Sequence, residues 1–175
     1  MVRTSKKQQI IDERKILAEL QKNSKENIDT IAKHSGFSRQ KVQRIIKKLG
    51  KNKMIWGYTA IVDDEKKDMI HFIMLIKRTM KPLDKKIKDK LDSIKIEDFV
   101  SSVGVNIESS CIVNGPYDWV ISFTAPNTIQ AKKFCDMFIG GFPGIIKQID
   151  LLQTLYFVRK HYIFNPDRKE LSDFL

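Results

Sequence analysis

Apolar residues in the first fifty positions recur at helical spacing in three segments that are separated by short polar breaks. A spacing near 3.6 residues is typical of amphipathic helices that bury one face. The inward-facing positions that it predicts are Ile10, Ile11, Ile16, Leu17 and Leu20 in the first helix, Ile28, Ile31 and Ala32 in the second, and Val42, Ile45, Ile46 and Leu49 in the third. The pattern therefore predicts three short helices around a shared core.

The second and third helices are joined by the sequence "HSGFS". Asn27 and Ser38 are expected to cap these two helices, because their side-chain oxygens accept backbone N–H groups of the first turn. Gly36 adopts a positive φ at lower cost than other residues, as a tight connection between helices requires. With a third helix that runs to about Leu49, the segment predicts a helix-turn-helix.

The outward face of the third helix is polar and carries no negative charge, since no acidic residue occurs from Ser38 to Lys53. One interpretation is a solvated face, but such faces usually mix charges so that Glu and Lys pair along the helix. The other interpretation, which we favour, is a face for the DNA major groove, where Arg and Gln match base edges and Lys matches phosphates. The candidate DNA-binding residues are Ser38, Arg39, Gln40, Lys41, Gln43, Arg44, Lys47, Lys48, Lys51 and Lys53.

Positive charge is concentrated towards the N-terminal end of the chain. Residues 1–60 contain 15 Lys and Arg but 5 Asp and Glu, whereas the remaining 115 residues contain 17 and 16. A basic segment joined to a nearly neutral one indicates a polyanion-binding domain followed by a domain with another role.

The segment 54–63, which follows the third helix, alternates bulky residues around one glycine and predicts a strand or a small wing. We expect at least one of Trp56 and Tyr58 to pack in the core. The charged run "DDEKKD" then marks a domain boundary.

From residue 69 onward the pattern alternates between strands and helices. It predicts a strand (69–79), an amphipathic helix (82–94), an extended stretch (99–115), a strand (117–125), a helix (127–141) and a long final strand (144–163). The helix at 127–141 offers Ile129, Phe134, Met137 and Phe138 to a core. The order βαββαβ is typical of a ferredoxin-like domain.

The predicted fold class is therefore α+β. A winged helix-turn-helix DNA-binding domain spans 1–63, a linker spans 64–68, a ferredoxin-like domain spans 69–164, and a C-terminal tail spans 165–175.

No motif for nucleotide phosphates, metal-dependent hydrolysis or a nucleophilic serine is present. His34, His71 and His161 lie in unrelated segments, and Cys111 and Cys135 lie in apolar surroundings where reduced, buried thiols are expected. We therefore expect no catalytic residue, no metal site and no cofactor. No apolar run reaches about 18 residues and no secretory signal is visible, so the protein is expected to be cytoplasmic and without a membrane partner.

The ordered set of motifs resembles the Lrp/AsnC (feast/famine) transcriptional regulators over about residues 10–160. Their patterns "iL..L", "iA...g.S...v..ri..L" and "I.gy.a.vd" are matched by Ile16, Leu17, Leu20, Ile31, Ala32, Gly36, Ser38, Val42, Ile45, Leu49, Ile55, Gly57, Tyr58, Ala60, Val62 and Asp63. Their patterns "vtG.yD.ll" and "pGV" resemble "CIVNGPYDWVISF" and "FPGIIKQIDLL".

The resemblance implies a sequence-specific regulator that binds double-stranded DNA as a homodimer, formed largely by the second domain and often assembled into tetramers or octamers. Two recognition helices per dimer would read a pseudo-palindromic operator with half-site centres about 34 Å, or a multiple, apart. The resemblance also implies an amino-acid effector near Gly115, Tyr117 and Asp118, where a carboxylate pairs with the ligand ammonium and loop amides hold its carboxylate. A plain hairpin turn is an equally good interpretation of these residues.

Two residues depart from the family pattern. Lys53 stands where relatives often have glycine before the wing strand, and we expect Asn52 to take the left-handed conformation instead. Pro116 lacks the backbone N–H that a ligand carboxylate could use, which weakens the expectation of ordinary amino-acid sensing.

Two other functions stay open beside the regulator. An architectural DNA-binding protein of low sequence specificity is consistent with the basic first domain. A tetrapyrrole decarboxylase on the same scaffold should lack a basic recognition helix and carry a set of histidines and arginines in the second domain, where only His71 and His161 are available.

Overall fold

A computed structural model describes residues 5–85, 87–89, 100, 103–167 and 172–174. These residues form two compact units. The first is drawn from Met1–Ile61 and Val158–Arg168, and the second from Val62–Phe157 and Lys169–Leu175. Within the described residues, no helix is long and apolar enough to cross a membrane, and no three His, Cys, Asp or Glu residues cluster in a way that could hold a metal ion.

The first unit contains the three predicted helices: α1 at Lys6–Lys22, α2 at Ile28–Ser35 and α3 at Arg39–Lys51. Both predicted caps are confirmed, since Asn27 accepts a hydrogen bond from Asp29 N and Ser38 accepts one from Lys41 N. Gly36 has a φ of 71°, as the tight turn requires. The predicted helix-turn-helix is therefore present.

One stripe of each helix forms the core of the first unit. The buried side chains are Ile16, Leu20, Ile31, Ala32, Val42, Ile45 and Leu49. The prediction was wrong for Ile10 and Ile11, which are exposed. At about 100° per residue both lie far from the line of Ile16 and Leu20, and Asp12 takes the inward position one turn earlier.

The segment after α3 differs from the prediction, because residues 55–63 form no strand. We expected at least one of Trp56 and Tyr58 to pack in the core. Trp56 is 96% exposed and Tyr58 is 58% exposed, so this expectation was wrong. Ile55 supplies the contact with the helices instead. The left-handed conformation belongs to Lys53, with a φ of 56°, and Asn52 has an ordinary φ of −84°.

The second unit is built on a four-stranded antiparallel sheet with β1 at Ile70–Arg78, β2 at Asn106–Ile112, β3 at Trp119–Ala125 and β4 at Ile146–Gln153. Helix α4, Thr128–Gly141, connects β3 to β4. The strand order β2-β3-β1-β4 is that of the predicted ferredoxin-like domain. Strand β1 pairs with both β3 and β4 and is therefore central.

Alternate residues of the central strands form the core beneath α4. Phe72, Met74 and Ile76 of β1 are buried, as are Ile121 and Phe123 of β3. Phe123 meets Phe134 of α4 edge to face, with ring centroids 4.9 Å apart.

The predictions for α4 and the cysteines were partly wrong. Phe138 is buried with Phe134, whereas Ile129 is 66% exposed because it lies in the first turn on the outer side of α4. Burial raises the pKa of the Cys135 thiol to about 11, but Cys111 is exposed on strand β2.

The predicted final strand is shorter than its apolar run. Strand β4 ends at Gln153, which pairs with Phe72 of β1, and the last bond along this edge is Thr154 N to His71 O. A short hairpin follows, with β5 at Arg159–Lys160 and β6 at Ile163–Phe164, and its turn is closed by His161 with a φ of 53°.

Two further predicted elements need correction or lie partly outside the described residues. Within the described part of the extended stretch 99–115, a strand is present only at Asn106–Ile112, and residues 99, 101 and 102 lie outside the described residues. Of the predicted helix 82–94, residues 85 and 87–89 are helical, and 86 and 90–94 lie outside the described residues.

We predict that Phe123→Ala lowers the free energy of unfolding of the second unit by about 3–5 kcal/mol, since it removes a fully buried ring from the core. Urea unfolding followed by the fluorescence of Trp119, which packs against Phe138, measures this loss. Ile129→Ala is the control and should change stability by less than about 0.5 kcal/mol. A large loss in Ile129→Ala would contradict the exposed position of Ile129.

Candidate nucleic-acid interface

Helix α3 presents one continuous polar arc to solvent. Viewed along the axis, Gln40, Gln43, Arg44, Lys47 and Lys51 fall within an arc of about 100° opposite the buried stripe of Val42, Ile45 and Leu49. All five side chains are exposed. Within the described part of the chain, none of their charged or amide groups is engaged in a hydrogen bond or ion pair.

The remaining cations of α3 flank this arc and are paired with other helices. Lys41 Nζ lies 2.7 Å from Asp12 Oδ2, and Lys48 Nζ lies 2.6 Å from Glu13 Oε1, both on α1. On the other flank, Arg39 Nη1 lies 2.6 Å from Asp29 Oδ2 of α2. Eight of the ten candidate residues thus form an unpaired outer arc and paired flanks, and the other two, Ser38 and Lys53, lie just before and just after α3.

Asp12 is the most buried member of these pairs, with 3% of its surface exposed. It also accepts a hydrogen bond of 2.9 Å from Gln8 Nε2. The hydrogen bond from Lys41 holds the pKa of Asp12 below its ordinary value, and burial, which raises the pKa, only partly offsets this. Asp12 is therefore a carboxylate at neutral pH.

Lys41 has a second partner in the turn before α3. Its ammonium lies 3.7 Å from the centroid of the Phe37 ring, at cation–π distance. Its backbone N–H donates to Ser38 Oγ at 3.3 Å. Ser38 thus caps α3, and Lys41 joins the first turn of α3 to α1.

The C-terminal end of the arc continues into the turn after α3. Lys51, the last residue of α3, and Lys53 in the turn are both exposed, as is Trp56 three residues further on. The acidic partners of the flanks were not identified from the sequence. The sequence nevertheless indicates these partners, because Asp12 and Glu13 lie on the inward side of α1, where a buried acidic residue needs a partner.

The three candidate effector residues do not form one cluster. Asp118 Oδ2 accepts a 2.8 Å hydrogen bond from Arg78 N, and Asp118 N–H donates to Ile76 O at 2.9 Å. Tyr117 instead donates its hydroxyl to Asp150 Oδ2 at 2.6 Å, which raises the pKa of Tyr117. Gly115 is exposed, with open space around it.

These contacts tie the loop before β3 to β1 and β4. The Nε atom of Arg78, next to this loop, is buried and has no hydrogen-bond partner among the described residues. The hydrogen-bonding groups of Tyr117 and Asp118 are therefore occupied by the sheet, and the buried donor without a partner belongs to Arg78, which is not one of the three candidates.

Comparison with known proteins agrees with both halves of this architecture. Residues 13–55 match the sequence model of the family described as winged helix-turn-helix DNA-binding. No sequence among proteins with curated functions matches the chain.

Several solved structures share the fold across both units. An AsnC family transcriptional regulator from Agrobacterium tumefaciens superposes with a TM-score of 0.64 at 17% identity, covering 89% of this chain and 96% of that one. A transcriptional regulator from Neisseria meningitidis, solved as a complex with L-Met, gives 0.65 at 13% identity and covers 95% and 99%. E. coli AsnC gives 0.59 at 19% identity and covers 87% and 96%. The chain therefore has the fold of AsnC-type transcriptional regulators.

We predict that Lys47→Ala weakens binding to any DNA duplex and lowers the slope of log affinity against log salt by about one unit, because an unpaired cation is free to replace a phosphate counterion. Fluorescence anisotropy between 50 and 200 mM salt measures the slope. Lys48→Ala, the matched control, removes the same charge from a cation that is paired with Glu13. Equal slopes for wild type and Lys47→Ala would contradict a phosphate contact.

Proposed function

We propose that this protein is a sequence-specific DNA-binding transcriptional regulator of the Lrp/AsnC type. The observation that carries the proposal is the outer arc of α3, where unpaired Arg, Gln and Lys side chains project from a helix-turn-helix. Arg44, Gln40 and Gln43 have the donor and acceptor geometry for base edges, and Lys47, Lys51 and Lys53 supply phosphate contacts.

We propose that the protein acts as a homodimer or a higher oligomer. The face of the sheet away from α4 carries the apolar side chains Ile73, Leu75, Val120 and Leu152, which the strand register brings together. None of these four is buried. These four side chains share the face with Ser122 and Asp150, and their partly exposed apolar surface favours burial against a second copy of the chain.

The proposed effector is an amino acid or a related small molecule. Support comes from the loop Gly115–Asp118 and from the solved regulator in complex with L-Met, which has the same fold. The hydrogen bonds that occupy Tyr117 and Asp118 weaken the case for these two as direct contacts, and Gly115 is the candidate that stays open.

A catalytic role is not part of the proposal. His71 belongs to the sheet unit, where its Nδ1 lies 2.6 Å from Thr154 Oγ1, and His161 belongs to the first unit. The two histidines available to a tetrapyrrole decarboxylase are thus in different units. An architectural DNA-binding role is the second candidate, favoured by the excess of positive charge in residues 1–60.

The experiment that separates a regulator from an architectural protein is selection of bound duplexes from randomised DNA at about 150 mM salt. A two-fold symmetric motif bound about 10³-fold or more tightly than random DNA supports the regulator. Binding without a motif supports the architectural role, and absence of binding rejects both.

With the selected motif, we predict that Arg44→Ala or Gln40→Ala weakens specific binding by about 1–3 kcal/mol and leaves non-specific binding nearly unchanged, because each loses a base contact. Competition titrations with the motif and random duplexes measure both quantities. An equal loss on the two duplexes would refute base reading by these side chains.

We also predict that Leu152→Lys weakens self-association by about tenfold or more, since it removes roughly 1.5–3 kcal/mol of apolar burial from the proposed interface. Sedimentation velocity over a range of concentrations measures the change. The control is Ile129→Lys, which makes the same change on the exposed side of α4. Unchanged association of Leu152→Lys would place the interface elsewhere.

A further inference from the structure

Helix α1 holds α3 at two points along one flank. Lys41 and Lys48 are seven residues apart, which is two helical turns or about 10 Å along the axis. Their partners, Asp12 and Glu13, are adjacent residues of α1. Two neighbouring carboxylates on one helix therefore contact both ends of another.

We propose that Asp12 and Glu13 are positioning residues that fix the angle at which α3 presents its outer arc to DNA. Lys41 and Lys48 then serve this role through the two carboxylates and do not contact phosphate. The inference rests on the proposed function and extends it from α3 to α1.

Apolar packing determines which face of α3 points outward, but it leaves a scatter of about 15–20° in the angle between packed helices. The stripe of Val42, Ile45 and Leu49 therefore leaves small changes of this angle to be set by other contacts. Charge-assisted hydrogen bonds at 2.7 and 2.6 Å are directional, and two of them, two turns apart, oppose both rolling and tilting.

The burial of Asp12 explains why Lys41 stays on α1 when DNA binds. If Lys41 moved to a phosphate, Asp12 would be left as a buried carboxylate without its cation, which is strongly unfavourable. Lys41 would also leave the face of Phe37. By contrast, the side chains of Arg39 and Asp29 are 58% and 57% exposed, and ion pairs between exposed side chains contribute little to stability.

The test compares Asp12→Asn with Asp29→Asn in the full-length protein. Both variants remove one negative charge from a carboxylate that pairs with α3, so they change long-range attraction to DNA equally. The probes are the duplex selected by the wild-type protein and a random duplex of the same length, with affinity measured between 50 and 200 mM salt.

We expect Asp12→Asn to lower the ratio of specific to non-specific affinity by about tenfold, the loss of one well-placed base contact. Asp29→Asn should stay within about twofold of the wild type. Lys41→Met should lower the same ratio and leave the salt slope unchanged. A salt slope reduced by about one unit in Lys41→Met would show a phosphate contact and overturn the inference, as would an unchanged ratio in Asp12→Asn.

Circular dichroism at the temperature of the binding assay establishes that each variant is folded. Should Asp12→Asn fail to fold, Glu13→Gln is the substitute, because its carboxylate is less buried; a ratio lowered at least threefold supports the inference and an unchanged ratio overturns it. The wild-type protein itself tests the proposed function. If it selects no motif, the proposed function fails whatever the variants do. If the wild-type protein selects a motif, the variants test only whether Asp12 and Glu13 position α3.

Discussion

Burial of a single apolar stripe on α3 is the constraint on which the proposed interface depends. Val42, Ile45 and Leu49 pack with Ile16 and Ile31, and they leave no choice about which residues of α3 point outward. A helix with 3.6 residues per turn that buries these positions must expose Gln40, Gln43, Arg44, Lys47 and Lys51. The recognition face is therefore determined by the core on the opposite side of the helix.

Local patterns were sufficient to predict the three helices of the first unit, the caps of the second and third, and the ferredoxin-like class of the second unit. The stripe of α3, the capping residues Asn27 and Ser38, and the turn at Gly36 each depend on residues within a few positions of one another, and the sequence displays them directly. The ferredoxin-like class followed from the alternation of strands and helices, since a βαββαβ chain has few ways to form one sheet.

The features that could not be predicted depend on contacts between distant segments. Periodicity cannot show that Asp12 pairs with Lys41, because the two residues are 29 positions apart and on different helices. Nor can an apolar run show where β4 ends, since a strand ends where its pairing with another strand stops, here at the pair of Gln153 with Phe72. The same holds for Trp56, whose exposure depends on what packs against it and not on its own chemistry.

The hairpin at residues 159–164 changes how the chain divides. Residues 158–168 belong to the same unit as residues 1–61, and residues 169–175 belong to the sheet unit, so each unit is built from two separate segments of the chain. Tyr162 of the hairpin accepts a hydrogen bond from Gln21 of α1 at 3.0 Å. A fragment that ends at residue 61 would thus retain the helix-turn-helix but lack residues 158–168 of the same unit. No single cut in the sequence therefore separates the helical unit from the sheet unit.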